Sequence, residues 1–260
     1  MTYGSNLLRR SCTTVVGVLL LSASLQAAEV EVTYLANEGV LITCGGDKVI
    51  VDALLRDSQD AYARHPRDVQ EKLESGKPPF DGIGLALATH FHLDHWDAGA
   101  ITRFLRSNPK TLFVSTPEAT AMLPWSQREQ VQAVWPEPDR SQQISRNDLQ
   151  VSAFRLQHGT TQNLGYRISV CGRTLFHLGD SEGSAEDFSR LKTMGAADVV
   201  LVPFWWLLDA KSAEFLRKEW KPRHIVALHF ATTSGDEAKK VRAAWPEAWV
   251  CWQQGESRKF

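Results

Sequence analysis

The sequence of 260 residues has little net charge, few cysteines and no internal repeat or low-complexity tract. Lysine and arginine number 29 and aspartate and glutamate 30, which gives a formal net charge of −1. A chain without a basic excess lacks the charge that attracts nucleic acid or an anionic membrane surface, so we expect neither as a partner. No apolar stretch reaches the ~20 residues that a membrane-spanning helix requires, so we also expect no stable membrane insertion.

The scarcity of cysteine limits the cross-links that the chain can form. Of the four cysteines, Cys12 lies in an N-terminal segment that we expect to be removed. Cys44, Cys171 and Cys251 would remain, and an odd number leaves at least one thiol free or paired outside the chain. Each is flanked by strand-like residues, which favours burial as a small apolar side chain. Their pairing stays open.

The N-terminal segment predicts export. Arg9 and Arg10 precede a short apolar core, residues 15–21, and a pair of alanines that would suit cleavage. This order is typical of a secretory signal peptide, and the core is too short to span a membrane. We predict a signal peptide at residues 1–28, a single domain over residues 29–260 and a location in a bacterial periplasm. A membrane anchor is the alternative.

Apolar runs separated by turn residues predict a mixed α/β domain. Strands are predicted at residues 30–35, 39–43, 48–51, 83–89, 111–114, 149–156, 165–170, 174–178, 198–202, 225–228 and 249–252. Helices are predicted at residues 98–106, 117–122, 185–194, 210–220 and 237–244. Residues 57–80 and 124–148 are expected to be flexible. Two sheets packed back to back, with helices outside, fit this order of elements.

Potential metal ligands are concentrated just after the apolar run at residues 83–88. His90, His92, Asp94 and His95 lie within six positions on the turn that leaves this predicted strand. His90 and His92 would project to one side and the other two to a neighbouring position, so one loop can begin two metal sites. Imidazole nitrogen suits zinc and iron, and carboxylate adds a hard oxygen ligand. Burying these groups without a cation would leave several of them unpaired.

The spacing His-x-His-x-Asp-His resembles the signature of the metallo-β-lactamase superfamily of hydrolases. Three further candidates follow in order, each at the end of an apolar run: His158, Asp180 and His229. The resemblance implies a four-layer αββα sandwich, with the metals at one edge of a catalytic domain that covers residues 29–260. It also implies that the first metal is held by His90, His92 and His158, the second by Asp94, His95 and His229, and that Asp180 bridges the two.

Two adjacent divalent cations would hold a hydroxide near neutral pH, and this hydroxide would attack a small-molecule substrate. Zinc is the expected metal, with iron or manganese as alternatives. Asp94 and Asp180 are the candidate catalytic residues, because either could pass a proton to the leaving group. With a bridging aspartate, the chain resembles the esterases, lactonases and phosphodiesterases of the family, many of which have this residue. The β-lactamases of the family generally lack it. An ester or lactone is preferred, since no tight Arg/Lys cluster lies beside the ligands in the sequence.

Other classes stay open at this point. A phosphodiesterase could use the same site, and a β-lactamase is a less favoured alternative. A di-iron redox protein would need an electron-delivering partner for which this chain has no room, and a non-catalytic binding protein would not need the full ligand set. The sequence predicts no oligomeric state.

Several residues near the ligands receive separate interpretations. Asp52 is expected to orient a metal-bound histidine, as such histidines usually donate their second N–H to an acidic group. His177 should face away from Asp180 and be structural, and His65 is expected to be exposed. Trp205 and Trp206 could form an apolar wall for the substrate or pack in the core, and the sequence leaves both possibilities open.

Overall fold

The computed structural model describes Met1, residues 29–56 and residues 61–260. All but the first residue of the predicted signal peptide therefore lies outside the described residues. Within the described part of the chain, no helix is long and apolar enough to cross a membrane.

Fourteen strands occur in the described residues and form two sheets of seven. In chain order they are β1 (Glu31–Ala36), β2 (Gly39–Cys44), β3 (Asp47–Val51), β4 (Leu85–Leu87), β5 (Leu112–Ser115), β6 (Val131–Ala133), β7 (Ser141–Arg146), β8 (Leu149–Leu156), β9 (Asn163–Val170), β10 (Arg173–His177), β11 (Val199–Pro203), β12 (His224–Leu228), β13 (Trp249–Val250) and β14 (Ser257–Lys259). The first sheet has the order β14-β1-β2-β3-β4-β5-β6 and the second the order β13-β12-β11-β10-β9-β8-β7.

Each sheet combines an antiparallel half with a parallel half. Strands β3 to β6 are parallel in the first sheet, and β10 to β13 are parallel in the second. Parallel strands that are buried on both faces are typically continuous apolar runs, as in the Val199–Pro203 strand, which is buried throughout. The carboxyl ends of the parallel strands consequently meet at one edge of the molecule.

Helices cover the outer face of each sheet. They are α1 (Arg67–Glu74), α2 (Ala98–Ser107), α3 (Pro117–Ala121), α4 (Ala185–Met194), α5 (Trp205–Leu208), α6 (Ala210–Glu214) and α7 (Gly235–Ala244). One apolar cluster fills the space between the sheets, with Val32 and Leu85 from the first and Val151 from the second. A second cluster lies between the second sheet and its helices, and a third between the first sheet and α1 and α2. These layers form the four-layer αββα sandwich that the sequence resemblance implied.

The segments expected to be flexible contain regular structure. Helix α1 forms because Val69 and Leu73, four positions apart, pack into the outer core of the first sheet. The buried Glu74 at its end accepts hydrogen bonds from Arg56 and Arg103. Within residues 124–148 the chain forms a 3₁₀ turn at Trp125–Gln130 and the strands β6 and β7. These short edge elements are rich in polar residues, so their periodicity is weak in the sequence.

The end of the described chain also differs from the prediction. The predicted closing strand at residues 249–252 is shortened to β13, and the chain then returns to the first sheet as β14, antiparallel to β1. The predicted helix at residues 210–220 is divided into α6 and a π-helical turn, Phe215–Trp220. Both differences depend on packing between distant segments, which local sequence patterns do not encode.

A disulfide joins Cys44 and Cys171, which are 127 positions apart. Cys44 ends β2 and Cys171 lies in the turn between β9 and β10, so the bond connects the two sheets. Cys44 is buried, as expected, whereas Cys171 is exposed, and neither is a free thiol. Strand-like neighbours do not reveal which two turns face each other. Cys251 is a free, buried cysteine, as expected.

Candidate metal centre

The candidate ligands lie at the edge where the parallel strands end. The loop after β4 carries four of them, and a tight turn in this loop, with the amides of His95 and Trp96 both donating to His92 O, separates the first pair from the second. His158 follows β8, Asp180 follows β10 and His229 follows β12. Strand β8 runs in the same direction as β10, because both are antiparallel to β9. All seven side chains therefore reach the same edge.

His90, His92, His158 and Asp180 form a first group, in which one potential ligand atom from each lies within 4.8 Å of the others. His92 Nδ1 is 3.0 Å from His90 Nε2 and 3.3 Å from His158 Nε2. Asp180 Oδ2 is 3.7 Å from His90 Nε2 and 3.6 Å from His158 Nε2. Ligands at ~2.0–2.1 Å from a tetrahedral zinc ion lie about 3.4 Å apart, which matches these separations.

Asp94, His95 and His229 form a second group on the same scale. The Nε2 atoms of the two histidines are 3.2 Å apart, and Asp94 Oδ2 is 3.4 Å from His95 Nε2 and 3.3 Å from His229 Nε2. Asp180 reaches this group with its other oxygen, since Oδ1 is 3.0 Å from His229 Nε2 and 3.3 Å from His95 Nε2. Asp180 thus lies between the two groups and presents one oxygen to each.

Burial and the charges of neighbouring groups shift the pKa of several of these histidines and aspartates. Burial lowers the pKa of His90 well below its ordinary value, and the charge of His95 lowers it further. Burial also opposes the charge on His229, but Asp180 and Asp94 outweigh it and raise the pKa of His229 to about 10. Burial would raise the pKa of Asp180, but His95 and His229 hold it well below its ordinary value.

A separate observation, on a buried oxygen of Asp180, shows that these residues fit divalent cations. Asp180 Oδ1 is buried and, despite its 3.0 Å approach to His229 Nε2, has no hydrogen bond of acceptable geometry in the described structure. An ionised oxygen without a hydrogen-bond donor is costly to bury, whereas a cation satisfies it directly. Imidazole nitrogens that converge at 3.0–3.3 Å likewise present lone pairs to a common point, which is the donor set of a transition-metal site.

Asp52 holds one of the histidines in place, as expected from the sequence. Its carboxylate lies 2.9 Å from His95 Nδ1 and accepts 2.7 Å hydrogen bonds from the amide and the hydroxyl of Thr89. A hydrogen bond at Nδ1 leaves His95 Nε2 directed at the second group. Asp52 therefore fixes both the orientation and the tautomer of this side chain.

Three residues near the site were missed in the sequence. Asn37 is fully buried, and its amide donates to both the backbone O and the Oδ2 of Asp94 at 3.1 Å. It adopts φ 49° in the turn between β1 and β2, a conformation that asparagine tolerates, and this Asn-Glu-Gly turn was the available signal. Glu38 beside it is buried, and burial together with Asp180 raises its pKa to about 8. Tyr62 packs edge-on to His229 with ring centroids 4.6 Å apart.

The structure shows the positions of four further residues that the sequence analysis singled out near the ligands. Trp206 belongs to the core, whereas the partly buried Trp205 packs edge-on against His229 at 5.0 Å between ring centroids. His177 is buried with Nε2 3.0 Å from Glu38 O, which agrees with a structural role. The expectation that His65 is exposed is wrong: it is buried, and Nε2 lies 2.7 Å from Ala53 O. The prediction was wrong because the residues around His65 in the sequence are polar, which is typical of an exposed segment.

A cavity of about 970 Å³ opens beside the first group. It shares His158 with that group, and Thr161, whose hydroxyl lies 3.4 Å from His92 Nε2, is also on its wall. Arg155 and Arg190 line the same cavity, although they are 35 positions apart in the sequence. Arg155 lies three positions before His158 in the sequence, whereas nothing in the sequence indicates that Arg190 lines the same cavity.

The fold, the ligand groups and a match to a family model together define the class of protein. Residues 47–234 match the model described as a beta-lactamase superfamily domain, so the chain belongs to the metallo-hydrolases of the β-lactamase superfamily. Among curated proteins, a UPF0173 protein of Pyrococcus furiosus is 30% identical over 167 residues, which cover 62% of this chain and 72% of that protein.

Solved structures show the same fold at low sequence identity. The metallo hydrolase Igni18 of Ignicoccus hospitalis superposes with a TM-score of 0.65 and 18% identity, over 89% of this chain and 98% of that one. A possible metal-dependent hydrolase of Veillonella parvula superposes with a TM-score of 0.65 and 15% identity, over 89% of this chain and 99% of that one. These similarities support the αββα architecture.

Proposed function

We propose that the protein hydrolyses an ester or lactone bond of a small molecule with the aid of two divalent cations. The observation that carries the proposal is the position of Asp180, whose two carboxylate oxygens approach different ligand groups. A shared carboxylate places two cations next to each other, which suits attack on a carbonyl carbon by water.

In this proposal each cation has protein ligands from both sheets. The first would be held by His90, His92, His158 and Asp180, and the second by Asp94, His95, His229 and Asp180. Zinc suits this mixture of imidazole and carboxylate, with iron or manganese as alternatives. When bound, such a pair supplies Lewis acidity and makes water acidic enough to react near neutral pH.

The protein side chains position the reactants and move the proton. Asp52 directs His95 Nε2 into the site, and Asn37 holds Asp94 by its Oδ2. We assign to Asp94 the transfer of a proton from the attacking water to the leaving-group oxygen, with Asp180 as the other catalytic carboxylate. The rings of Tyr62 and Trp205 flank His229 and exclude water from that side.

A serine nucleophile is not part of the proposal. Ser181 follows Asp180 directly, but it is fully buried and its hydroxyl donates to Asp187 at 2.8 Å. That hydrogen bond belongs to the N-terminal cap of α4, where Asp187 also accepts from the amide of Ser184. Ser181 therefore has a structural role.

The test is a panel of substrates for the zinc-loaded protein: chromogenic esters, lactones, a phosphodiester and a β-lactam, each with and without chelator. We expect fastest turnover of an ester or lactone, and its loss on chelation. Fastest turnover of the phosphodiester would favour the alternative, a phosphodiesterase, for which Arg155 and Arg190 in the adjoining cavity are the supporting observation. No chelator-sensitive turnover of any class would contradict the proposal.

We further propose that the protein is exported to a bacterial periplasm. The supporting observation is the disulfide between Cys44 and Cys171, since such bonds persist in oxidising compartments and are rare in the cytosol. Cell fractionation and N-terminal sequencing test this. We expect a periplasmic protein that starts near residue 29, and an uncleaved protein in the cytosolic fraction would contradict it.

A further inference from the structure

We infer that the arginine-lined cavity beside His158 is a binding site for an anionic group of the substrate, a carboxylate or a phosphate remote from the bond that is cleaved. The inference rests on the proposed hydrolytic function, because it places the rest of the substrate next to the metal groups. The first observation is position: His158 contributes both to the first ligand group and to the cavity wall.

The second observation is the unused hydrogen-bonding capacity of the two arginines. Arg155 stacks on Trp135, 4.3 Å from the ring centroid, and its Nη2 donates to Trp135 O at 3.3 Å. Arg190 Nη1 donates to Asp139 O at 2.7 Å. In the described part of the chain, Arg155 Nε and both Nε and Nη2 of Arg190 have no acceptor, although all three atoms are buried.

Another arginine of this protein shows what the edge of a guanidinium group formed by Nε and Nη2 binds. Arg56 donates through Nε and Nη2, at 2.7 Å each, to the two carboxylate oxygens of Glu74. This side-on pair is the geometry in which guanidinium groups recognise carboxylate and phosphate. In Arg190 the same two nitrogens are buried without an acceptor among the described residues, an unfavourable state that a turn of the side chain towards a ligand oxyanion in the cavity would relieve.

Two of the three acidic residues of the cavity, Asp187 and Glu186, are engaged elsewhere. Asp187 accepts hydrogen bonds from the amide of Gln157 and from Ser181 and Ser184 in the cap of α4. Glu186 accepts from the side chain of Gln157. The contact between Asp139 and Arg190 uses the backbone carbonyl of Asp139. None of these contacts occupies Arg155 Nε or the Nε and Nη2 of Arg190.

The size of the cavity agrees with a small-molecule site. Ligand pockets typically enclose about 300–1,000 Å³, and a volume of about 970 Å³ lies at the upper end of this range. The rim is formed on one side by residues 138–141 and on the other by α4, with Trp135 as an apolar wall. A chain of several atoms can thus extend from the ligand groups to the arginines.

Two matched substrates test the inference. Mono-4-nitrophenyl adipate and 4-nitrophenyl hexanoate have the same acyl length and differ in a terminal carboxylate or methyl group. A third ester, of 5-phosphonopentanoate, distinguishes phosphonate from carboxylate. We expect the wild-type protein to prefer an anionic ester, and Arg155→Gln or Arg190→Gln to raise KM for that ester about tenfold, as for the loss of one charge-assisted hydrogen bond. Turnover of the hexanoate ester should change less than about twofold.

Arg217→Gln is the matched control. Arg217 also stacks on a tryptophan, 3.8 Å from the Trp245 centroid, and donates to a backbone carbonyl, that of Ala244, but it does not line the cavity. We expect it to leave all three rates unchanged. Arg190→Lys keeps the charge without the two-pronged edge and should restore part of the lost affinity. Unchanged hexanoate turnover shows that a variant is folded.

Calorimetric titration of adipate, and separately of inorganic phosphate, into the zinc-loaded protein separates this inference from the proposed function. Anion binding that weakens about tenfold in Arg155→Gln and Arg190→Gln supports the cavity site even if no ester is cleaved. Ester hydrolysis with no preference for charge, together with anion binding that is the same in both variants and the wild type, would overturn the cavity site and leave the hydrolase proposal intact.

Discussion

The two ends of the sandwich both connect the sheets, but with different chemistry. At one end the disulfide between Cys44 and Cys171 joins turns that precede β3 and β10. At the other end, the residues that follow the carboxyl ends of the parallel strands bring His95 of the first sheet within 3.2 Å of His229 of the second. The covalent connection needs no ligand, whereas the second end brings together buried histidines and aspartates that could hold a metal ion.

Within one fold, the end with the disulfide contributes to stability and the end with the ligand groups is suited to reactivity. The disulfide acts mainly by restricting the unfolded chain and makes no demand on the charge of its surroundings. The ligand groups hold several ionisable side chains out of water, an arrangement that is unfavourable in itself and is typical of functional sites. Four predictions test how far the two ends are independent.

The largest effect is expected at the ligand end, from Asp180→Asn. The amide keeps the shape but removes the charge and one of the two ligand oxygens. We expect kcat/KM to fall by about 10³-fold or more, which corresponds to about 4 kcal/mol, and bound metal to fall below two ions per chain. Metal analysis and initial rates measure this, with the exposed Asp236→Asn as a control. Unchanged metal content and activity would exclude a bridging role.

At the other end, replacing Cys44 and Cys171 together by serine should lower the free energy of unfolding by about 3 kcal/mol, the middle of the range typical of a disulfide. Metal content and kcat/KM should stay within about twofold of the wild type. Denaturant unfolding with and without reductant measures the first quantity. Lost metal binding in a variant that is still folded would show that the two ends are coupled.

A smaller effect at the ligand end is expected from Asp52→Asn. Asparagine can still accept a hydrogen bond from His95, but it no longer carries the charge that supports the imidazole. Loss of such a supporting group typically weakens metal binding about 10–100-fold. Competition with a chromogenic chelator measures the affinity. The same affinity as in the wild type would mean that packing alone orients His95.

The smallest effect concerns Glu74, which lies at neither end and shows what an ordinary buried ion pair contributes. Burial would raise the pKa of Glu74, but hydrogen bonds from Arg56, Arg103 and Gln70 lower it to about 2 from an ordinary value of 4.5. Its stabilisation is therefore present above pH ~4.5 and is lost as the pH falls towards 2. With allowance for solvent screening, we expect a contribution on the order of 1–2 kcal/mol.

Unfolding measured between pH 2 and 6 tests the prediction for Glu74. Glu74→Gln should flatten the profile between pH 2 and 4.5. Asp68→Asn on the same helix should not, because Asp68 is exposed and contacts only Lys72 in the described structure. A steep acid transition that persists in Glu74→Gln would assign the pH dependence to other carboxylates.

The sequence predicted the ligand loop better than its surroundings, for a physical reason. His90 to His95 are adjacent in the chain, and Asp180 and His229 each end an apolar run, so strand direction alone brings them to one edge. Asn37 and Tyr62 reach the site through turns, and turns carry no hydrophobic period. The proximity of Arg155 and Arg190 depends on how α4 packs beside β8.

The fold follows the same rule. The central parallel strands are long apolar runs and were predicted with small errors at their ends. Helix α1 was missed because only two of its eight residues, Val69 and Leu73, are apolar. Strand β14 has three exposed residues, and it exists only because β1 offers an unpaired edge.

The distance in sequence between His95 and His229, 134 positions, has a consequence for how the chain matures. A nascent chain that has emerged only as far as the His-x-His-x-Asp-His loop carries two members of each ligand group and nothing to complete either. Since a metal site rarely exists before the fold that assembles it, cation uptake should follow the docking of the second sheet rather than precede it. Metal loading would then report completed assembly, and a chain cut before residue 229 would be inert towards its substrate.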